Sequence, residues 1–276
     1  MSPYEGLFLG IVQGLTEFLP VSSSGHLVIV QSLMEGFRQP GVLFDVMLHM
    51  GTLLAVLFFF RRDIVDLLAA LLPQKGRDPS TVDAALISTR RRLVLYILAG
   101  TAVTGIVGVT FEDGIHRLFA SVEITAFMLL VTGGLLFFAD RVTGTSRREE
   151  DMTLRDGILI GLVQGISLIP GISRSGSTIA AGMFSKLEGE TAGRFAFLLS
   201  IPAIMGAMVL ELKYIGSVPG REMVIYLIGA LSAAVTGFLT LKILFFMIKK
   251  RKLRYFAYYC WFVGVSVLVA RAVFHA

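Results

Sequence analysis

GIVQGLTEFLPVSSSGH, residues 10–26, sets an apolar helical stretch beside a carboxylate, a helix breaker, three hydroxyls and an imidazole. Its polar groups include Gln13, Glu17, Ser22, Ser23, Ser24 and His26, Pro20 lies between them, and the chain is apolar on both sides. Proline removes a backbone donor and clashes with the preceding turn. Serine and glycine then favour turns and helix starts. The stretch reads as two short helices around a break, neither half long enough to cross about 30 Å of hydrocarbon. The same pattern returns at 161–177 as GLVQGISLIPGISRSGS. With one gap before the proline and one insertion after it, Gly10, Gln13, Gly14, Pro20, Ser22 and Gly25 align with Gly161, Gln164, Gly165, Pro170, Ser173 and Gly176.

The rest of the chain sets these breaks in a membrane. Of its 276 residues, 55% are hydrophobic and only 16% charged, against about a quarter charged in soluble domains. The mean hydropathy is +0.76. A net charge of +5 invites a nucleic-acid reading, but the basic residues cluster beside apolar segments: Arg61 and Arg62, Arg90 to Arg92, and KKRKLR at 249–254. That placement fits cytoplasmic membrane edges and argues against nucleic acid. The single cysteine, Cys260, excludes an internal disulfide and a cysteine metal cluster. The first twenty residues lack the basic region and cleavage site of a signal peptide.

Six stretches read as full spans: 43–60, 93–110, 121–139, 191–210, 223–247 and 255–273. The interrupted stretches, 4–35 and 156–186, read as re-entrant helical hairpins, each followed by three spans. The expected fold is an all-α polytopic membrane protein of two inverted-topology repeats, 1–145 and 150–276, forming one membrane domain. Paired interrupted segments of this kind often mark a binding site. Basic residues put 61–92, 141–155 and 248–254 in the cytoplasm, and 36–42, 111–120 and 211–222 outside. The first hairpin then opens outward and the second inward.

Gln13 and Glu17 are four apart and share a helix face. An intramembrane carboxylate points to function and needs a cation nearby. Arg174, in PGISRSGST, is the obvious one, with a donor fork suited to phosphate oxygens. Ser173, Ser175, Ser177 and Thr178 surround it, and the segment at 177–184 would present free N–H groups to an anion. A phosphate clamp, an acid or base and candidate nucleophiles together suit phosphoryl transfer. His26 either exchanges protons or bonds the hairpin backbone. Asp45 and His49 line an outer mouth or simply lie at the interface. His116 and His275 read as loop and terminus residues. Arg194 is expected to pair with Glu188 or Glu190.

QGLTEFLPVSSSGH and PGISRSGST, followed by FSKLEGETAGRFAFLLSIPAI, resemble the signatures of the bacterial undecaprenyl-diphosphate phosphatases of the bacitracin-resistance type. The resemblance covers essentially the whole chain. It implies a multi-pass enzyme of the bacterial inner membrane, its site open to the periplasm, that hydrolyses undecaprenyl diphosphate and so recycles the carrier for peptidoglycan synthesis. It implies a divalent cation, Mg2+ or Ca2+, held at Glu17 and Gln13, and catalytic Glu17, His26, Ser23 and Arg174. Gln13, Ser22, Ser24, Ser173, Ser175, Ser177 and Thr178 would bind substrate. The family's paired glutamates fall on Gln13 and Glu17, and the glutamine departs from a two-carboxylate metal site. Ser23, His26 and an activated water remain alternative nucleophiles. Membrane lipids are the expected surroundings, and a homodimer is one expected assembly. The competing readings are a transporter or flippase for a phosphorylated lipid or anion, and a structural lipid-binding protein.

Overall fold

The computed structural model describes residues 1–34, 42–73, 82–119, 121–211 and 220–274. The loops read at 36–42 and 211–222, part of the 61–92 segment and His275 fall wholly or largely outside them. Among the described residues there are twelve α-helices: α1 Pro3–Phe18, α2 Ser23–Leu33, α3 Val42–Phe59, α4 Arg61–Leu71, α5 Val82–Thr110, α6 Glu112–Phe119, α7 Val122–Ala139, α8 Leu154–Ile166, α9 Arg174–Phe184, α10 Gly189–Glu211, α11 Gly220–Lys249 and α12 Arg254–Phe274. Among the described residues the only β pairing is an isolated bridge between Arg147 and Leu187.

Local chemistry sets the ends of the broken helices. Ser2 and Glu5 form a reciprocal cap on α1, with Pro3 in its first turn. At the start of α8, Asp156 Oδ2 accepts from both the N–H and the hydroxyl of Thr153, each at 2.8 Å. Pro20 pushes Leu19 into extended backbone (φ −62°, ψ 143°), which stops α1. Pro202, by contrast, sits inside α10 without ending it, as membrane helices tolerate.

Among the described residues five helices are long and apolar enough to cross a bilayer: Ala84–Thr110, Val122–Ala139, Gly189–Val209, Glu222–Lys249 and Arg254–Val273. Leu43–Phe59 qualifies only together with Arg61–Leu71, from which it bends by 73°. The protein is an all-α polytopic membrane protein. Its outer surface is apolar. On α11, Leu227, Leu231, Val235, Leu239 and Ile243 recur every fourth residue and are all about half exposed or more. In water that stripe would be buried; facing acyl chains it needs no partner.

Two expectations are corrected. Residues 61–71 and 112–119 are helices rather than loops, so His116 lies in α6. Their charges suggest loops, but RRDIVDLLAAL spaces apolar residues three and four apart, which supports an amphipathic helix. Arg194 pairs with Asp63, and lies 3.9 Å from Glu149, which also binds Arg90. Glu188 pairs with Arg148 and Glu190 with Lys249. The carboxylates nearest the Arg194 guanidinium come from α4 and the 149–151 turn, not from its own helix.

Helix pairing is reciprocal. α1 lies along α11 and α8 along α5, while α7 packs on α12 and α3 on α10. Both broken helices approach their partners through glycine. A Cβ on Gly10 would lie 2.2 Å from the Gly229 carbonyl, and one on Gly14 2.7 Å from that of Ala233. On α8, a Cβ on Gly161 would lie 2.4 Å from Gly100 Cα. Small residues at every fourth position bring membrane helices into backbone contact.

Candidate active site

The two breaks touch each other. A Cβ on Gly25 would lie 3.2 Å from Gly171 Cα, and one on Gly176 3.0 Å from Pro20 Cβ. The Ser175 hydroxyl donates to the Leu19 carbonyl at 3.3 Å. Each break ends in a serine cap: Ser22 Oγ accepts from the Gly25 N–H and Ser173 Oγ from the Gly176 N–H. Arg174 is therefore the first residue of α9, which begins three residues earlier than its sequence suggested. Gly171 adopts φ +90°, and a Cβ there would meet the Thr125 carbonyl at 2.2 Å. Thr132 of α7 fastens this break, donating to the Gly171 carbonyl at 2.9 Å and accepting from the Ser173 N–H at 3.0 Å.

Glu17 is the hub. Its carboxylate is buried near the end of α1. One oxygen is paired with the Arg174 guanidinium. The other accepts from the Ser23 hydroxyl and from Gln13 Nε2, the latter at 3.0 Å. His49 Nε2 lies 3.6 Å from that same oxygen, and its Nδ1 donates to the Asp45 carbonyl at 2.8 Å. Gln13 Oε1 is buried with no hydrogen-bond partner. The amide orientation follows from charge, because an oxygen turned toward Glu17 would repel it.

The other candidates bond locally. Ser24 contacts Ser22 at 3.3 Å. Ser177 donates to the Ser173 carbonyl and Thr178 to the Arg174 carbonyl, each at 2.7 Å. Ser22 has φ +69°, a left-handed conformation that costs a non-glycine residue about 1–3 kcal/mol. The turn presents the Ser22 carbonyl to both His26 N, at 3.1 Å, and His26 Nδ1, at 2.8 Å. His26 thus bonds the hairpin backbone through one nitrogen, and its other nitrogen meets Tyr259 rather than the Glu17 cluster.

The family model described as bacitracin resistance protein BacA matches residues 6–266. The chain belongs to that family. Among curated relatives, the undecaprenyl-diphosphatase of Methanobrevibacter smithii is 42% identical over 98% of each chain. That of Halothermothrix orenii is 40% identical over 99% of this chain and all of its own. That of Desulfosudis oleivorans is 43% identical over 96% of this chain and 97% of its own. BacA membership spans both breaks and every described span except the last turns of α12.

Two neighbours of this BacA site were weakly signalled or missed. The sequence leaves His49 between a mouth residue and an interfacial one. Its i, i+4 placement after Asp45 was the available signal, since that turn carries it toward Glu17. Tyr259 lies in an aromatic run, RYFAYYCWF, where nothing local singles out one ring.

Proposed function

We propose that the protein is a phosphatase that hydrolyses undecaprenyl diphosphate to undecaprenyl phosphate and inorganic phosphate, returning the lipid carrier to peptidoglycan synthesis. One observation carries the reading: at the contact of the two breaks, a single buried carboxylate holds a serine hydroxyl and a guanidinium at once. A diphosphate entering the site competes with Glu17 for Arg174, whose planar fork fits phosphate oxygens. Drawing Arg174 away leaves Glu17 a stronger proton acceptor. The Ser23 proton then passes to Glu17, Ser23 Oγ bonds to the terminal phosphorus, and the bridging P–O bond breaks to release undecaprenyl phosphate. Water attacks the phosphoserine, the Ser23 Oγ–P bond breaks to give inorganic phosphate, Glu17 returns its proton to Ser23 Oγ, and His26 takes the proton lost by the water at Nε2. Direct attack by water in place of Ser23 uses the same groups.

A divalent cation fits this donor set. Among the described residues no three His, Cys, Asp or Glu side chains cluster as a metal site. Magnesium, however, is commonly held by one or two carboxylates together with substrate phosphates and water. Glu17 and the unpartnered Gln13 Oε1 would hold it, replacing the second carboxylate with a neutral oxygen. When bound, it supplies positive charge to the diphosphate. Phosphate release from a long-chain isoprenyl diphosphate should be seen with purified protein and a divalent cation, and be lost on adding a chelator. Absence of release under any divalent cation would leave the transporter reading, which the meeting of two broken helices also favours.

The architecture we infer is two inverted repeats, 1–145 and 150–276, each a re-entrant hairpin and three spans, with the site open to the periplasm. Reciprocal pairing supports it: α1 with α11 answers α8 with α5, and matched glycines serve both contacts. Residues 61–92 and 248–254 should then face the cytoplasm and 111–120 the periplasm. Single cysteines introduced into a Cys260→Ser background and treated with an impermeant reagent from outside would test this. Labelling at 61–92 would overturn the inversion.

A further inference from the structure

His26 has a second neighbour that the chemistry above does not use. Its Nδ1 lies 2.8 Å from the Ser22 carbonyl, which only accepts, so Nδ1 carries a hydrogen. Its Nε2 lies 2.8 Å from Tyr259 Oη on α12. The two rings are stacked, with centroids 5.6 Å apart and planes 8° apart. His26 is 9% exposed and Tyr259 43%, so the tyrosine forms the outer wall against which the buried imidazole rests. A phenol can donate to a neutral Nε2 and accept from a protonated one. The contact therefore survives a change in the histidine's proton.

We propose that Tyr259 is a positioning residue for His26. Its ring fixes the imidazole plane, and its hydroxyl holds Nε2 in one direction in both protonation states. Ser22 sets the tautomer from one side and Tyr259 the orientation from the other, as partners of a working histidine commonly do. The proposal rests on the phosphatase reading for its kinetic part and on geometry alone for its spectroscopic part.

Tyr259→Phe keeps the ring and removes the hydroxyl. Its kcat should fall about threefold to tenfold with KM unchanged, the scale of one neutral hydrogen bond. Tyr259→Leu removes the stack as well and should fall further, with a melting temperature close to that of Tyr259→Phe. The chain has four histidines, so 15N-histidine spectra, assigned with His26→Gln, read the ring directly. Wild-type His26 should show one tautomer with a hydrogen-bonded Nε2, and Tyr259→Phe should shift Nε2 to the position of an unbonded nitrogen. An unchanged Nε2 resonance, or wild-type kcat in folded Tyr259→Phe, would overturn the proposal, as would full activity of His26→Ala. Lack of phosphate release by the wild type would defeat the phosphatase reading, and the nitrogen spectra would still judge the clamp.

Discussion

Phosphate release by the Arg174→Ala protein is expected to fall roughly 10²–10³-fold, the loss that follows removal of a preorganised donor to developing oxyanion charge. Two effects act together. The phosphate oxygens lose their guanidinium, and Glu17 becomes a buried carboxylate without its arginine, left with the Ser23 and Gln13 hydrogen bonds and His49 at 3.6 Å. Breaking one side of a buried pair costs about 3–5 kcal/mol, so the melting temperature should drop with the rate. Adding Glu17→Gln neutralises the stranded charge. The double variant should regain much of the melting temperature and none of the activity, which separates the structural effect from the chemical one. Arg174→Lys keeps the charge without the planar fork and should retain only part of the rate. A near-normal rate in folded Arg174→Ala would remove the clamp from the mechanism.

Ser23→Ala carries the second large effect. If Ser23 is the nucleophile, turnover should be almost abolished, and a rapid quench of the wild type with labelled diphosphate should trap a phosphoserine at position 23. The hydrogen bond from Ser23 to Glu17 is the ground for expecting this outcome, since a weak nucleophile needs a base within reach. Glu17→Gln should lose activity too, and the residual rate should no longer respond to the divalent cation. Substantial activity in Ser23→Ala with no labelled serine would exclude the covalent route and leave water as the attacking group.

The breaks were legible because their cause is local: Pro20 ends α1 by holding Leu19 extended, Pro170 follows close behind the end of α8, and the serines beyond them cap the next helix. The Glu17–Arg174 pair was legible through charge. Each lay alone in apolar chain, and neither is tolerable without a partner, although 157 residues separate them. His49 and Tyr259 depend on how α3 and α12 are rotated about their axes. In a soluble helix the apolar stripe reports that rotation, but here the lipid-facing side is as apolar as the packed side. Tyr259, 233 residues from His26, was hidden for that reason. The glycine spacing carries a further signal. Gly6, Gly10 and Gly14 recur every fourth residue, as do Gly157, Gly161 and Gly165, and together they mark the faces in backbone contact.

The pairing of α1 with α11 sets a schedule for making this protein. α1 is synthesised first, yet the helix it rests on begins at Gly220. At about 5–20 residues per second, a ribosome needs on the order of 10–40 s to bring α11 out after α1. Over most of that interval Glu17 has no Arg174 to answer its charge, since that residue also comes late. The nascent first half must therefore wait, with its carboxylate in water or at the insertion machinery. Neither half is a finished piece, and a chain truncated before α11 leaves α1 with an open row of glycines and no backbone to set them against.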